Sequence, residues 1–583
     1  MLDSNPMEAK DKRTVYATLL MLIAQIEDKA ALQLFNICAY FEPTDIPLQI
    51  FINGRENLPH PLCDMLDLPN PDLNTAFSVL KRNSLVKFNE AEGDISKVTL
   101  SIHNLTQTVA RIHHGLGNPE NGLQWLRYAI SLLAHTFSAE KTIDVISFFL
   151  SLPHVQSVAS IAEEVSEEND DILDSLVHLH TSVGFALYNY GIYSKALEWF
   201  LKSLPICEKA LGHNDSKVVE VYLHIALSYE KLGYYNDALT WQHKVLCIQE
   251  KMEEKDCLAI VDAYNDIGRL SKILGRDFES LEYHQMALGL IEKTNANEYG
   301  RKASTYDLIA RAQGGLGNYN TAIEFYQKAL CIIEKEGITE HNDIAVIYGN
   351  MSIIYNNLHD HNKALELGQK ALSIHEQALT HENSVTAFCY NAVGATHNEL
   401  GDSFMALTML RKAVRIFEKI GGSDSDASEV YRNYGHAFLK NGNTDNALKW
   451  FDKAVEHDIK LFGHEHPSLA SRYNSIATVY NEMNYDVYVL EYLQKAFNIM
   501  LSYEEHPALA IYSGNIATVY SSQHNYAKAL DYYLISYRIL IKRHGESHME
   551  TIHTLDSMKK AYIKTNQPQP FEEWLQQNLY ATI

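Results

Sequence analysis

One local pattern recurs nine times between residues 196 and 529, and this periodicity constrains the fold more than any other feature of the chain. A small or compact residue marks each recurrence, and we name these the repeat residues: Ala196, Ala238, Ser280, Ala322, Ala364, Ala406, Ala447, Val489 and Ala529. Their spacings are 42, 42, 42, 42, 42, 41, 42 and 40 residues. A period of this length predicts stacked supersecondary units, because a single unit cannot bury its own apolar face.

Each unit contains two helix-like stretches that are separated by a turn. In residues 307–335 the first helix ends at Gly317, where glycine accommodates the left-handed backbone of a helix terminus. Apolar residues then recur at spacings of three and four along a second helix: Ala322, Tyr326, Ala329, Leu330 and Ile333. The small residues in both stretches predict two antiparallel helices that approach closely.

This order of small residue, turn, alanine, aromatic residue and alanine resembles the tetratricopeptide repeat, whose usual unit is about 34 residues. The longer unit, the loop LFGHEHPSLA at residues 461–470 and the asparagines on the first helices resemble the kinesin light chain subtype. The resemblance covers about 400 residues. It implies an all-α superhelical solenoid of helix pairs, in which the first helices line a concave groove.

Polar residues on the predicted first helices are the candidate ligand contacts. Six asparagines fall near corresponding positions: Asn265, Asn350, Asn391, Asn433, Asn474 and Asn515. An amide both donates and accepts, so a row of amides can hold an extended peptide backbone. Five basic residues offer positive charge to an acidic peptide: Arg269, Lys272, Arg311, Arg432 and Lys440. The alternative is that the asparagines bond helix to helix or cap local turns.

The first 170 residues lack the repeat. They predict an apolar helix that ends before Pro43, a helix near Leu73–Lys81, two short alternating segments and a closing helix at Leu105–Ile112. This order suggests a winged helix.

The segment resembles the winged helix that follows the nucleotide-binding domain of STAND/NB-ARC signalling ATPases, and residues 120–165 resemble their helical connector. The GxxxxGK[ST] phosphate loop is missing from the sequence, so we expect no nucleotide hydrolysis.

The predicted domains are therefore a winged-helix-like domain at residues 1–118 and a helical connector at 119–170. Nine to ten tetratricopeptide units follow at 171–565, and a capping helix at 566–583 covers the exposed end of the stack. Cys247 and Cys331 each lie nine residues after a repeat residue and are predicted to pack in the core.

Composition restricts the function further. The formal net charge of −24 disfavours a nucleic-acid surface spread over the whole molecule. The start of the chain lacks an apolar signal core, and Leu19–Ile26 is too short to span a membrane, so we expect a cytoplasmic protein, either in its own cell or in the cytosol of a host. The sequence holds no CxxC, GxSxG or HExxH motif, and we expect no metal, no cofactor and no enzymatic activity.

Three functions remain open at this point. The leading hypothesis is a scaffold or adaptor that binds a peptide or helix of a partner protein in the concave groove. The alternative is the sensor arm of a split or degenerate signalling ATPase, which would dock on a separate ATPase chain. The least favoured is a DNA-binding winged helix with Lys81, Arg82 and Lys87 near phosphates, because the helix before them carries little positive charge.

Overall fold

The computed structural model describes most of the chain, and all structural statements refer to that part. The described ranges are residues 6–67, 72–89, 97–117, 119–137, 145–166, 169–213, 215–252, 256–294, 298–337, 341–377, 383–420, 426–503, 507–546 and 548–579. Within them the chain forms 28 α-helices and three short strands, and it divides into two compact units, Met1–Tyr229 and Glu230–Ile583.

The part of the first unit that precedes the repeats combines helices with a small sheet. Its elements are α1 (Pro6–Ala24), α2 (Lys29–Cys38), β1 (Ile46–Pro47), α3 (Leu48–Asn53), a 3₁₀ turn (Arg55–Asn57), α4 (Leu62–Met65), α5 (Asp72–Arg82), β2 (Lys87–Asn89), β3 (Thr99–Ser101), α6 (Asn104–Gly117), α7 (Pro119–Thr136) and α8 (Val145–Ser166). The sheet is antiparallel in the order β1-β3-β2, with Phe88 opposite Leu100. The predicted helices and hairpin are present, whereas the winged-helix resemblance itself stays a prediction.

Helices then alternate in pairs to the end of the described chain. The first helices are α9 (Asp170–Asn189), α11 (Ser216–Lys231), α13 (Cys257–Ile273), α15 (Tyr299–Gly315), α17 (His341–Asn357), α19 (Ser384–Glu399), α21 (Ala427–Lys440), α23 (Pro467–Glu482), α25 (Pro507–Ser522) and α27 (Met549–Lys564). The second helices are α10 (Tyr193–Leu211), α12 (Tyr235–Gln249), α14 (Asp277–Thr294), α16 (Tyr319–Glu336), α18 (His361–Gln377), α20 (Ser403–Ile420), α22 (Thr444–Phe462), α24 (Asp486–Met500) and α26 (Tyr526–His544). A 3₁₀ turn (Leu501–Tyr503) follows α24, and α28 (Phe571–Leu579) packs on α26 and α27.

The two helices of a pair meet through a small residue that lies twelve positions before each repeat residue. These small residues are Gly184, Ala226, Gly268, Ala310, Ser352, Gly394, Gly435, Ala477 and Ala517. The larger residue opposite lies four positions after the repeat residue: a Cβ on Gly435 would come within 2.6 Å of the Phe451 ring, and one on Gly394 within 2.7 Å of Leu410. This close approach explains why the small residue recurs with the same period.

The turns between paired helices share one left-handed residue. Glycine occupies it in six repeats, with positive φ at Gly191, Gly233, Gly275, Gly317, Gly401 and Gly442. His359, Asn484 and His524 replace glycine in three others and adopt the same conformation, with φ of 61°, 60° and 62°. The repeat therefore survives these substitutions, although a side chain in this region costs about 1–2 kcal/mol.

The prediction for two cysteines is wrong. Cys247 and Cys331 are exposed, whereas the repeat residues Ala238 and Ala322 are fully buried. Nine residues at 3.6 per turn amount to two and a half turns, so each cysteine lies on the helix face opposite the buried alanine.

None of the helices in the described ranges combines the length and apolar character that crossing a membrane requires.

Candidate functional site

Successive first helices from α13 to α23 contact one another, and four clefts lie on the helices from α15 to α27. We name the surface that carries these four clefts the inner surface. The central cleft, of about 430 Å³, lies mainly on α17, α19 and α21. Its lining residues are Tyr319, Ile353, Asn356, Asn357, His359, Asn391, Ala395, Asn398, Glu399, Glu429, Arg432, Asn433, His436 and Lys440. Four of the eleven predicted site residues line this one cleft.

The other three clefts continue along the same surface. A cleft of about 360 Å³ between α15 and α17 includes Asp307, and one of about 230 Å³ on α23 to α25 includes Asn474 and Asn515. The last, of about 400 Å³ on α25 to α27, also includes Asn515 and has the exposed apolar side chains of Ile511 and Met549 at its edge. The inner surface thus changes from polar to partly apolar toward α27.

Four predicted asparagines form two bridges between neighbouring first helices. Asn433 Nδ2 donates to Asn391 Oδ1 over 2.9 Å, and Asn515 Nδ2 donates to Asn474 Oδ1 over 3.2 Å. In both bridges the accepting asparagine lies fifteen residues before the repeat residue of its own helix pair. The donating asparagine lies fourteen residues before the repeat residue of the following pair. The first bridge is buried, with exposures of 5% and 9%, whereas Asn515 is exposed. Helix-to-helix bonding is therefore observed for these residues, and their contact with a ligand stays a prediction.

The fifth asparagine occupies the same kind of junction but faces a carboxylate. Asn350 lies fourteen residues before Ala364, and Asp307 lies fifteen before Ala322. Burial raises the pKa of Asp307, while the positive charge of Arg311 and the nearby Asn350 amide lower it. Neither Asn350 Nδ2 nor Asp307 Oδ1 reaches a hydrogen bond of good geometry among the described residues. The sequence analysis missed Asp307, although its place in the repeat register could have identified it.

Asn265 uses both ends of its amide inside the protein. Its Nδ2 donates to Thr305 Oγ1 over 2.9 Å, and its Oδ1 lies 3.1 Å from His284 Nδ1. His284 is buried, and burial together with the charges of Arg311 and Arg269 lowers its pKa to about 3. The neutral imidazole can donate from Nδ1 to the amide oxygen, so Asn265 has a structural role in this arrangement.

Two of the predicted basic residues are tightly paired beside α13. Arg269 donates to both carboxylate oxygens of Glu230 over 2.6 and 2.7 Å, and Lys272 Nζ lies 2.5 Å from Asp277 Oδ1. Burial lowers the pKa of Arg269, but hydrogen bonds and charge from Glu230 more than reverse this and raise it overall. These cations are neutralised within the protein and offer little charge to a ligand.

Two more basic residues lie in the central cleft and also have internal partners. Lys440 Nζ donates to the backbone oxygen of Asn398 over 2.7 Å, and Arg432 bonds Glu429. Arg311 differs from the other four predicted cations, because it is exposed and has no hydrogen bond to the described residues. It is the predicted cation with the most charge available to a ligand.

A buried ion network supports the floor of the central cleft. Arg472 joins Asp458 over 3.1 Å and Glu429 over 2.7 Å, and Arg472 and Asp458 are almost inaccessible to solvent. Burial raises the pKa of Glu429, but Arg432 and Arg472 reverse this and hold it well below its usual range. Burial and the nearby Arg432 lower the pKa of His436 to about 3, so its imidazole is neutral at physiological pH. The cleft therefore has a fixed and internally balanced charge pattern.

Asn398 is a buried polar residue of the central cleft that the sequence analysis missed. Asn398 is 4% exposed, and its Oδ1 has no hydrogen-bond partner among the described residues. Buried polar atoms are normally paired, so this oxygen is an exception within the lining of the cleft. Asn398 follows Asn391 by seven residues, or two helical turns, and this spacing places both on the same helix face.

One group of potential metal ligands occurs among the described residues, and it belongs to the first unit. His60, Cys63 and Asp64 lie within 4.8 Å of one another, and His60 and Asp64 are exposed. His60 Nδ1 already bonds the Asp64 carboxylate at 2.9 and 3.0 Å. The absence of a metal and of a cofactor stays a prediction.

Comparison with known families confirms the repeat type. A family model described as tetratricopeptide repeat matches residues 259–335, 343–419 and 426–487, and a second matches residues 218–256. These segments are therefore tetratricopeptide repeats, as the sequence pattern predicted. A search of curated proteins found no match.

Several solved structures align with parts of this chain at low identity. A Rap protein complexed with competence and sporulation factor is 16% identical, with a TM-score of 0.41 over 60% of this chain and 100% of that one. Kinesin-light-chain-like repeats from Podosopora anserina are 18% identical, with a TM-score of 0.29 over 35% and 96%. BtubC (BKLC) from P. vanneervenii is 20% identical, with a TM-score of 0.23 over 46% and 92%.

Proposed function

We propose that this chain is a non-enzymatic scaffold that binds a segment of a partner protein along its inner surface, centred on the central cleft. The observation that carries the proposal is the central cleft of about 430 Å³, whose lining combines the exposed Asn357 with the amides of Asn391 and Asn433. An amide side chain both donates and accepts, so this lining offers partners to the N–H and C=O groups of an extended peptide. Tetratricopeptide stacks present long surfaces of this kind to extended or helical ligands.

The lining of the central cleft favours an extended segment over a helix. Amides, carboxylates and cations predominate, and Ile353 and Ala395 are its aliphatic side chains. A docked helix has its backbone groups already paired and needs an apolar groove, whereas an extended segment brings unpaired N–H and C=O groups. The proposal includes the predicted residues Asn474 and Asn515, whose bridge is accessible, and the exposed Arg311, which supplies positive charge near Asp307 on α15.

The other hypotheses gain no support from the described structure. No observation in the described ranges favours an ATPase partner or DNA binding, and both stay predictions. A cytoplasmic location also stays a prediction.

Peptide selection with a blocking variant tests the proposal. A random peptide library displayed on phage is selected against the full chain, and binding of the enriched peptides is measured by fluorescence polarisation. Asn357 is exposed and lines the central cleft, so Asn357→Trp narrows the cleft without burying a new polar group. Ser373, which is exposed on the second helix α18 and lines none of the four clefts, provides the matched control Ser373→Trp.

We expect Asn357→Trp to weaken binding by about tenfold or more, as a loss of about 1.4 kcal/mol produces. Ser373→Trp should leave it unchanged. Peptides that bind both variants equally would place the binding surface elsewhere and overturn the proposal.

A further inference from the structure

Aromatic rings connect two parts of the second unit that are far apart in sequence. Phe462, the last residue of α22, stacks on His466 with ring centroids 4.1 Å apart. The other partner of Phe462 is Tyr235, the first residue of α12, at 5.4 Å. The loop that joins α22 to α23 therefore lies against helices of a repeat that begins more than 200 residues earlier.

Polar and backbone contacts reinforce the same junction. His466 Nε2 lies 2.8 Å from the backbone oxygen of Ile273, which is 193 residues away in sequence. Pro467 packs against the turn at Gly275, where a Cβ would come within 2.6 Å of the proline ring. Glycine is thus required at this turn for its positive φ of 74° and for the approach of Pro467.

The hydrogen bonds fix the state of the His466 ring. Ser468 N donates to Nδ1 over 3.2 Å, so Nδ1 is unprotonated and caps the first turn of α23. The Ile273 carbonyl only accepts, so Nε2 must carry the proton that it donates. One neutral imidazole thereby caps a helix and joins two distant repeats. Burial lowers the pKa of His466 and so favours this neutral form.

We propose that Tyr235, Ile273, Gly275, Phe462, His466 and Pro467 form a clasp that closes the repeat stack on itself and controls access to the inner surface. The clasp joins the end of α13 to the start of α23. The helices between these two ends, α15 to α22, carry the central cleft and the cleft of Asp307. While the clasp is closed, a peptide end can enter these clefts, but a bulky partner needs the clasp to open.

A charge substitution that preserves the helix cap tests the clasp. His466→Asp keeps an acceptor for Ser468 N, because aspartate is a favoured capping residue, but it replaces the donor to Ile273 by a carboxylate that repels the carbonyl. His464→Asp is the matched control, since His464 is exposed two residues earlier in the same loop and has no contact in the clasp. Circular dichroism of both variants checks that helicity is unchanged.

Distance measurements on the full chain give the first readout. Spin labels attached through p-acetylphenylalanine at the exposed positions Arg276 and Glu465 report the separation across the clasp by pulsed electron resonance. We expect one short, narrow distance in the unmodified chain and in His464→Asp, and a broad, longer distribution in His466→Asp. Losing one hydrogen bond of typical strength should raise the open fraction by about tenfold. A narrow, unchanged distance in His466→Asp, or a broad one in the parent, would overturn the clasp.

Access to the central cleft is measured separately and needs no ligand. In Ala395→Cys the new thiol lies in the central cleft, and its modification is quantified by mass spectrometry of the labelled peptide. N-ethylmaleimide should react equally fast with and without His466→Asp, because it is small enough to enter the cleft in either state. A polyethylene glycol maleimide of about 5 kDa, which is far larger than a peptide side chain, should react faster in the His466→Asp background. Equal rates for the large reagent would show that the clasp does not control access.

Discussion

The bridge between Asn391 and Asn433 allows a quantitative test of how the predicted site residues act. Asn433→Ala removes the donor and leaves Asn391 Oδ1 without a partner in a region where both residues are at most 9% exposed. An orphaned buried acceptor costs about 1–3 kcal/mol. Asn515→Ala removes the corresponding donor from the exposed bridge, where water replaces it, so we expect a loss of about 0.5 kcal/mol or less.

Hydrogen exchange is the appropriate assay, because repeat proteins open locally and their global unfolding is often not two-state. Amides of α19 and α21 should exchange about 5- to 150-fold faster in Asn433→Ala, which corresponds to 1–3 kcal/mol. Amides of α23 and α25 should change about twofold or less in Asn515→Ala, as expected for a solvated hydrogen bond.

The double variant Asn391→Ala with Asn433→Ala removes both partners and should recover much of the loss, since no polar group is then left unpaired. Equal effects of the two single variants would refute the reasoning from burial. So would a double variant whose loss equals the sum of the single losses.

Three further predictions concern the ion network, the helix pairs and the clasp. Arg472→Met leaves Asp458 buried without its cation and should lower the free energy of local opening of α22 and α23 by about 3–5 kcal/mol, measured by hydrogen exchange; unchanged exchange rates in these helices would contradict this. Gly435→Ala forces a Cβ against the Phe451 ring and should cost about 1–3 kcal/mol by the same assay, whereas Ala in place of Gly289, which has open space and no positive φ, should cost nothing. Acid should open the clasp. In the closed form burial and the charge of Arg472 lower the pKa of His466, and the Ile273 carbonyl and Asp458 oppose this only in part. Protons therefore bind the open form more tightly than the closed form. The closed form should therefore be stable above the ordinary histidine pKa of about 6.5 and lose stability below it, and a distance across positions 276 and 465 that is constant from neutral to acid pH would exclude this.

The fold was predictable from the sequence because one local requirement repeats. Each helix pair needs a small residue opposite a large one, as in Gly435 with Phe451, and a left-handed turn residue such as Gly442. These requirements act over short distances and are therefore visible as a period. The prediction for Cys331 was wrong because a regular spacing from the repeat residue does not by itself place a side chain on the buried face. Nine residues correspond to two and a half helical turns, which places Cys331 on the opposite face.

The candidate site was only partly predictable, because its residues are distinguished by contacts between repeats. The asparagine pattern identified Asn391 and Asn433, but the one-residue shift that makes them donor and acceptor emerged from the structure. Asn398 was missed, since nothing in its local sequence separates an unpaired amide from a paired one. The clasp residue His466 contacts Ile273 from 193 residues away, a distance that local patterns do not encode.

Photocrosslinking of a bound peptide tests the central claim most directly. The full chain carries p-benzoylphenylalanine either at Ala395 in the central cleft or at Ser373 on the second helix α18, and each form is irradiated with a peptide selected as described above. The account predicts crosslinks from position 395, their loss when unlabelled peptide competes, and none from position 373. Crosslinks that form from position 373 and not from position 395 would contradict binding on the inner surface.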